Sequence, residues 1–360
     1  MNITVIGAGP SGLLASQYLT RAGYNVNIIE EHKNIGRPIA CSGLIGSDYF
    51  KHFKEFNVSD SIKNRIDGAR VYFGKDSFDL KRKGVSYVVD RELFDKSLSN
   101  GLEVSLAEKY ISFYRKEKYI SIKTDKRMIK SDLLIGADGP ASKVRNQGFN
   151  FKLKHYKGYQ VRVKADLDLD NFVEVHIQRP FFTWIIPETE GIFRIGTVSE
   201  NPKETLSNFL KEKQIKEVPL EVQAGIIPIG SGEIYRDRVF LLGDAACQVK
   251  PLSGGGVYYG ALAAECLANS IVSDNYYNYC KECNQLIGKE ISKGLLFRKI
   301  YENLSEDEIK SVFDYIKSKK QILDEQGSFD QHYKTIVSLI KDPRIVKFLP
   351  LIIKSFHRIF

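Results

Sequence analysis

The stretch NITVIGAGPSG, residues 2–12, decides the fold, because an apolar run passes directly into a glycine-rich turn. The run predicts a buried strand, and the residues after the turn predict a helix. Gly7 permits a tight turn, Gly9 lets a pyrophosphate approach the backbone, and Gly12 allows a helix to pack closely on a strand. Glu30 closes the next apolar run, NVNIIE, where a carboxylate can accept ribose hydroxyls. We therefore predict a βαβ unit that binds a dinucleotide, either NAD or FAD.

A second glycine-rich stretch, VFLLGDAACQVKPLSGGG at residues 239–256, begins with another predicted strand. Asp244 follows the carboxyl end of that strand, where its carboxylate suits the hydroxyls of a ribityl chain. The backbone N–H groups of residues 254–256 and the following helix N-terminus suit the N1/O2 edge of a flavin, which is anionic when reduced. The competing interpretation is a strand–loop–helix connection with tolerated glycines. A third stretch, GADG at 136–139, places Asp138 at a strand end, where it either orients these loops or forms a turn.

Composition favours some partners over others. The chain has 360 residues and a net charge of +9, and no apolar run is long enough to predict a membrane span. The basic excess fits nucleic acid, an anionic membrane surface or a phosphorylated substrate. Because the lysines are scattered among acids and no basic groove-reading helix is present, we predict no nucleic-acid partner. An N-terminus without a charged leader predicts a cytoplasmic protein, either free or peripheral on the inner face of the cell membrane.

Five cysteines, an odd number in a predicted cytosolic chain, indicate reduced thiols and not a disulfide framework. Cys280 and Cys283 form a single CxxC with no second pair, so we predict no metal site. These two residues are either small residues on a helix or have a redox role together with Cys41.

The predicted elements divide the chain into three parts. Apolar or alternating runs between residues 158 and 199 predict an antiparallel sheet, with ETEG as a hairpin turn. From residue 276 onward, helix-forming residues dominate. We predict an α/β protein with a Rossmann-like dinucleotide-binding domain whose parallel sheet is interrupted in sequence, an antiparallel-sheet substrate domain and a helical C-terminal part. The predicted boundaries are 1–65, 88–152 and 233–275 for the cofactor domain, 66–87 and 153–232 for the substrate domain, and 276–360 for the helical region.

Several motifs together resemble a known group of flavoproteins. GAGPSG, Glu30, Arg91 in DRELFD, GADG and GDAA…KPLSGGG are similar to the FAD domain of the para-hydroxybenzoate hydroxylase-like flavoproteins. GRPIACSG at 36–43 and PFFTWIIP at 180–187 narrow the resemblance to the geranylgeranyl reductase family, over roughly residues 1–275. The resemblance implies an FAD enzyme that saturates isoprenoid double bonds, as in the geranylgeranyl chains of archaeal glycerolipids or in chlorophyll and quinone side chains.

The resemblance also implies the residues of the site. Substrate contacts are expected at Phe182, Trp184 and Ile186, where the family usually has tyrosine at the first position and phenylalanine at the third. Ala107 is expected to line the adenine pocket. Arg91 is expected to face the cofactor's phosphates or ribose, unless it is a solvated residue on the first turn of a helix. The other implied cofactor contacts are Gly7, Gly9, Ser11, Gly12, Glu30, Arg37, Cys41, Ser42, Gly43, Asp244, Gly255, Gly256 and Val257.

The expected chemistry gives the apolar motif and the cysteine candidate roles. An isolated alkene needs a hydride at one carbon and a proton at the other, in an apolar site from which water is excluded. The side chains of 180–187 supply such walls, unless they are ordinary core residues. Cys41 either helps to position or protonate the substrate carbon, or only packs against the flavin ring.

The source of electrons and the membrane contact stay open in the sequence. No second glycine motif marks a nicotinamide site, so a ferredoxin or another electron donor protein and NAD(P)H are alternative reductants. Residues 342–360 mix apolar with basic side chains and predict a helix that either lies on an anionic membrane surface or docks on the catalytic body. An aromatic-ring monooxygenase and a non-enzymatic flavin-binding electron-transfer protein are the two alternative functions.

Overall fold

The computed structural model describes residues 1–216 and 218–340. Within these residues, the strands are β1 (Asn2–Ile6), β2 (Asn25–Ile29), β3 (Leu44–Gly46), β4 (Ile62–Phe73), β5 (Asp76–Val89), β6 (Val104–Ser105), β7 (Tyr110–Arg115), β8 (Ile120–Thr124), β9 (Met128–Ser131), β10 (Leu133–Gly136), β11 (Phe151–Lys164), β12 (Phe172–Ile177), β13 (Phe182–Thr189), β14 (Ile192–Val198), β15 (Glu221–Gly232), β16 (Tyr235–Arg236) and β17 (Val239–Leu241). The α-helices are α1 (Pro10–Arg21), α2 (Ser47–His52), α3 (Arg91–Leu98), α4 (Lys143–Gly148), α5 (Pro202–Glu212), α6 (Val257–Val272), α7 (Tyr277–Cys283), α8 (Lys289–Asn303), α9 (Glu306–Ser318), α10 (Lys320–Gln326) and α11 (His332–Ile340).

The first sheet contains the predicted βαβ unit. Its strand order is β16-β17-β10-β1-β2-β6, and every pair is parallel except β16–β17. β10 and β17 join it from distant parts of the chain, so the parallel sheet is interrupted in sequence, as predicted. α1 and α6 pack together on one face, where Leu13, Leu14 and Leu267 are fully buried with Ile3 of the sheet. The loops after β1, β10 and β17 therefore meet at one edge.

The second sheet has the order β15-β11-β14-β13-β12-β4-β5-β3 and is antiparallel apart from the pair β12–β4. The predicted hairpin turn is present, because β13 and β14 pair on either side of Glu190 and Gly191. β3 forms one edge of this sheet and comes from the end of GRPIACSGLIG, residues 36–46, here called the cysteine loop. The cysteine loop is therefore joined to the eight-stranded sheet by backbone pairing.

A third sheet, β7-β8-β9, was not predicted from the sequence. Phe113, Ile120 and Ile122 are buried on one of its faces, in a core that includes Leu134 of the first sheet. The opposite face is exposed, so this small sheet covers the cofactor domain on one side only.

The C-terminal part is helical from α7 to α11, as predicted. None of the helices within residues 1–216 and 218–340 is both long and apolar enough to span a bilayer. α9 begins with a capping box in which Ser305 and Glu308 satisfy each other's backbone N–H groups. The helix predicted for residues 342–360 lies outside the described residues.

Candidate functional site

The first glycine-rich turn leaves a space beside Gly9. Gly7 has φ +104°, a conformation that favours glycine, and its N–H donates to the Ile29 carbonyl at 2.8 Å. A Cβ at Gly12 would lie 3.1 Å from Ala137 Cβ and closer still to the Gly7 carbonyl, so α1 approaches the turn as only glycine allows. Apart from Gly9 and its two neighbours in the chain, no atom of the described residues lies within 4 Å of the position that a Cβ would take at Gly9. The N–H groups at the start of α1 are therefore accessible to a phosphate.

Glu30, directly after β2, connects this turn to the next loop. Its carboxylate accepts hydrogen bonds from the N–H groups of Ala8 at 2.8 Å and His32 at 2.9 Å, and His32 Nδ1 lies 2.6 Å away. The Ala107 N–H donates to the His32 carbonyl at 2.9 Å. Glu30 and Ala107, which the resemblance assigns to the same end of the cofactor, therefore lie close together.

The loop after β17 brings a second carboxylate to this edge. Asp244 lies in a short 3-10 helix, Gly243–Ala246, and no hydrogen bond from the described residues reaches its carboxylate. Burial raises the pKa of Asp244 to about 6, although the charges of Arg91 and Arg145 oppose this shift. A Cβ at Gly256 would lie 2.9 Å from Asp244 Oδ1. A desolvated carboxylate without a partner is suited to accept hydrogen bonds from ligand hydroxyls.

Ser11 of α1 connects the first glycine-rich turn to the loop after β17, which carries Asp244. A Cβ at Gly243 would lie 2.7 Å from Ser11 Oγ, and Gly260 of α6 also faces this hydroxyl. Val257 begins α6 directly after Gly256. The predicted residues of the two loops therefore lie along one edge of the first sheet.

The GADG loop contributes an arginine that was not predicted from the sequence. Asp138 accepts a hydrogen bond from the Lys143 N–H at 2.7 Å and so fixes the start of α4. Arg145 of α4 is 1% exposed and donates to the carbonyls of Pro140 at 2.7 Å and Ala245 at 3.1 Å. Arg145 therefore ties the GADG loop to the loop of Asp244.

Arg91, the first residue of α3, lies beside the cysteine loop. Its side chain is 11% exposed, so it is not a solvated residue, and its Nη2 lies 3.0 Å from Asp95. Burial lowers the pKa of the Arg91 guanidinium, but Asp95 and the Cys41 thiol raise it by more. Arg91 Nε is buried without a hydrogen-bond partner in the described part of the chain. One buried donor is therefore left for a ligand near Cys41.

Arg194 of β14 fastens the cysteine loop to the eight-stranded sheet. Its Nη1 donates to the carbonyls of Ser42 at 2.7 Å and Val89 at 3.0 Å. Gly43, with φ +73°, leaves the space that this guanidinium occupies. Cys41 is half-buried, and its sulfur accepts a long hydrogen bond of 3.4 Å from the Gly43 N–H. The path of the loop at Cys41 is therefore fixed by an arginine that was not predicted from the sequence.

Arg37 spans a cleft between the cysteine loop and β15. The cleft has a volume of about 460 Å³, and Gln223 is part of its opposite wall. Arg37 forms ion pairs with Glu92 at 2.6 Å and Glu221 at 2.7 Å. A cofactor phosphate that contacts Arg37 must therefore compete with two carboxylates.

Trp184 lies flat on the eight-stranded sheet. Gly196 of β14 pairs with Trp184 of β13 on one side and with Gln160 of β11 on the other. A Cβ at Gly196 would lie 2.6 Å from Trp184 Cε2. Trp184 Nε1 donates to Gln160 Oε1 at 2.8 Å, and Gln160 Nε2 donates to Gln223 Oε1 at 2.6 Å. The single polar group of the indole is therefore satisfied, and its ring can form part of an apolar wall.

The three predicted substrate residues are divided between two clusters. Phe182 and Trp184 pack against a buried cluster that includes Val249 of the loop after Asp244. Ile186 is 2% exposed and packs in a separate cluster with Ile66 and Val88, which Trp184 also touches. Phe182 and Trp184 therefore lie next to the glycine-rich loop, whereas Ile186 lies within the sheet core.

α8 joins the aromatic wall to the glycine-rich loop through Arg298, another residue not predicted from the sequence. This residue is 3% exposed, and its side chain donates to the carbonyls of Pro251 and Leu252, each at 2.8 Å, and to that of Pro180. Its guanidinium carbon lies 3.5 Å from the centroid of the Phe181 ring, in a cation–π contact. One helix therefore fixes the separation of the PFFTW and KPLSGGG motifs.

A buried ion pair supports the same loop from the C-terminal side. Lys250 Nζ lies 2.9 Å from Asp330 Oδ1, and the two side chains are 6% and 2% exposed. A Cβ at Gly255 would lie 2.8 Å from Lys250 Cε, and Asp330 also borders Gly46 of the cysteine loop. The glycine-rich loop and the cysteine loop are therefore both in contact with the segment before α11.

Outside the cysteine loop, Cys247 directly follows the 3-10 helix of Asp244, Cys266 lies in α6, and Cys280 and Cys283 lie in α7. All five cysteines are free, and Cys283 is buried while Cys280 is half-buried in α7. No group of three or more His, Cys, Asp or Glu side chains in residues 1–216 and 218–340 could hold a metal ion.

The sequence of the chain is similar to those of several known proteins. A family model described as pyridine nucleotide-disulphide oxidoreductase matches residues 1–168. An uncharacterised protein of Methanocaldococcus jannaschii is 29% identical, over 94% of this chain and 95% of its own. A digeranylgeranylglycerophospholipid reductase of Methanosarcina acetivorans is 26% identical, over 89% of each chain.

The fold is also found in solved structures. A geranylgeranyl bacteriochlorophyll reductase-like protein from Thermoplasma acidophilum has a TM-score of 0.79 at 19% identity, over 100% of this chain and 99% of its own. A probable FAD-dependent monooxygenase shares the fold with a lower TM-score of 0.67. These matches confirm the predicted α/β fold and the predicted resemblance, and they confirm FAD as the cofactor.

Proposed function

We propose that this chain, an FAD-dependent oxidoreductase related in sequence to the geranylgeranyl reductases, saturates C=C bonds in the geranylgeranyl chains of a glycerolipid. The observation that carries the proposal is the apolar wall of Phe182 and Trp184, which packs against a buried cluster that includes Val249 of the glycine-rich loop after Asp244. Relatives named digeranylgeranylglycerophospholipid reductase support an archaeal-type glycerophospholipid as the substrate class.

The side chains at this edge fit FAD. Gly9 leaves N–H groups of α1 accessible to the pyrophosphate, and Glu30 and Asp244 offer carboxylate oxygens to ribose and ribityl hydroxyls. Arg91 Nε adds a buried donor. When bound, FAD supplies the hydride from N5 of its reduced ring. The N–H groups of Gly255 and Gly256 and the start of α6 would favour negative charge at the N1/O2 edge of that ring, whereas the Gly254 N–H already donates to the Lys250 carbonyl at 2.8 Å.

The alkene requires an apolar slot, because it carries no polar group by which a protein could hold it. Phe182 and Trp184, which are only partly buried, offer apolar contacts beside the cofactor edge, and Gln160 satisfies the indole N–H. Each buried CH₂ contributes about 0.8 kcal/mol, so an isoprenoid chain would be bound mainly through such walls.

Cys41 is proposed to contact the substrate carbon and to position or protonate it. We expect Cys41→Ala to lower turnover by about 100-fold with FAD still bound, which is typical for the loss of a proton-transferring group. Cys280→Ala is the matched control, because it removes another half-buried thiol, from α7. Full turnover by Cys41→Ala would leave the thiol only a packing role against the flavin ring.

The decisive experiment bypasses the electron donor, which is either a ferredoxin or NAD(P)H. The FAD-loaded protein is reduced with dithionite under anaerobic conditions and incubated with an unsaturated digeranylgeranyl glycerophospholipid. We expect mass spectrometry to show products that have gained pairs of hydrogens, and none with the oxidised protein. An unchanged lipid, with FAD bound and reduced, would exclude the proposal. A monooxygenase would instead consume oxygen in step with a hydroxylated product, and an electron-transfer protein would yield no product.

A further inference from the structure

Most of the net charge of the chain lies in one short segment. Residues 109–130 contain six lysines and two arginines but only two acids, a net charge of +6 against +9 for the whole chain. All six lysines are exposed. Lys109, Arg115 and Arg127 have carboxylate partners. The lysines of this segment that form no ion pair with any of residues 1–216 and 218–340 are Lys116, Lys118, Lys123, Lys126 and Lys130.

The strand register brings part of this charge onto one face of the three-stranded sheet, together with apolar side chains. Lys123 pairs with Met128, and Tyr114 and Lys130 both pair with Ser121, so their side chains share one face. Met128 is 59% exposed and Tyr114 is 56% exposed. Ile111, at an irregularity in β7, is 45% exposed. We call this surface, formed by Ile111, Tyr114, Lys123, Met128 and Lys130, the basic face.

We propose that the basic face binds an anionic lipid surface. Lysine ammonium groups attract anionic headgroups, and the exposed Tyr114 and Met128 side chains can enter the interfacial layer between them. Nucleic acid would use the cations but leave the apolar side chains without a role. The proposal deepens the proposed function, on which it rests in part, because a lipid with two isoprenoid chains has to be taken from a membrane.

Vesicle co-sedimentation of the full-length, FAD-loaded protein tests the proposal without any isoprenoid lipid. The probes are vesicles of phosphatidylcholine alone and of phosphatidylcholine with phosphatidylglycerol. We expect binding only to the anionic vesicles, weakened by salt. Removal of one lysine charge near such a surface weakens binding about fivefold, so Lys123→Gln with Lys130→Gln should weaken it about 25-fold. Tyr114→Ser with Met128→Ser should also weaken it at unchanged net charge.

The matched control is Lys203→Gln with Lys211→Gln, which removes the same charge from exposed positions of α5. The control should bind anionic vesicles like the parent protein, and all variants should keep their FAD absorbance. Equal binding of the basic-face and control variants to anionic vesicles would overturn the proposal. The lipid contact would then lie in another part of the chain, for example in residues 342–360. No binding to anionic vesicles would also overturn it, in favour of an acidic protein partner. If turnover fails but vesicle binding follows the expected pattern, only the proposed reaction is wrong.

Discussion

Replacement of Asp244 by asparagine should stabilise the protein without FAD and weaken its affinity for FAD. The carboxylate is desolvated and accepts no hydrogen bond from the described residues, and burial raises its pKa from 3.8 to about 6. Because each pKa unit corresponds to about 1.4 kcal/mol, the charged carboxylate costs the folded apoprotein about 3 kcal/mol at pH 8. Asparagine has nearly the same shape and no charge, so it avoids this cost.

The effect depends on pH in a defined direction. The pKa of Asp244 is higher in the folded chain than in the unfolded chain, so the folded state binds the proton more readily. The contribution of Asp244 to the stability of the parent apoprotein therefore falls as the pH rises from about 4 to about 6 and stays constant above that range. The advantage of Asp244→Asn should be about 3 kcal/mol at pH 8 and about half of that at pH 5.

Urea denaturation of the apoproteins at pH 5 and pH 8 measures this difference. Asp168→Asn serves as the control, because Asp168 is exposed in the segment after β11. Titration with FAD should show that the more stable apoprotein has the lower affinity. We expect Asp244→Asn to bind FAD about tenfold more weakly than the parent protein, because a hydrogen bond to a charged group is lost. Equal stability of parent and Asp244→Asn at pH 8, or the same gain at both pH values, would refute the reasoning.

Two further substitutions test the aromatic wall and its support. Gly196→Ala should cost about 1–3 kcal/mol and shift the fluorescence of Trp184, the single tryptophan, because the added Cβ displaces the indole. Gly158→Ala, whose Cβ would meet no atom closer than 3.7 Å, should change neither the free energy of unfolding nor the fluorescence of Trp184. Arg298→Met should lower the free energy of unfolding by about 3 kcal/mol, because three buried carbonyls lose their donors. Arg65→Met, at an exposed position, should cost less than about 0.5 kcal/mol, and thermal or urea unfolding compares the two.

The cofactor edge could be predicted from the sequence because backbone geometry restricts the residues that can form it. Gly7 and Gly254 both have positive φ, and Gly12 lies where any side chain would meet the preceding turn. Such positions leave a spacing of glycines that is visible without a structure. Asp90 is a similar case, since its side chain accepts hydrogen bonds from two N–H groups at the start of α3, a position at which aspartate is strongly preferred.

The three-stranded sheet could not be predicted in the same way. Its strands, YISFYR, ISIKT and MIKS, are short, and charged residues interrupt each run. Only one face is buried, so half of the side chains resemble those of a solvated loop.

The arginines that connect the loops of the site are even harder to predict from the sequence. Arg145, Arg194 and Arg298 donate to backbone carbonyls that are distant in sequence, and any residue supplies a carbonyl. Among 53 lysines and arginines, nothing in the local pattern separates these three from solvated ones. Their roles depend on tertiary packing alone.

The buried pair of Lys250 and Asp330 has a consequence for how the protein is made. The two residues are eighty positions apart, so the lysine beside the glycine-rich loop has no counter-ion until Asp330 has left the ribosome. A nascent chain that has completed its parallel sheet therefore still lacks the ion pair that supports the glycine-rich loop after β17. We therefore expect stable capture of FAD only after the segment that contains Asp330 has folded against the glycine-rich loop.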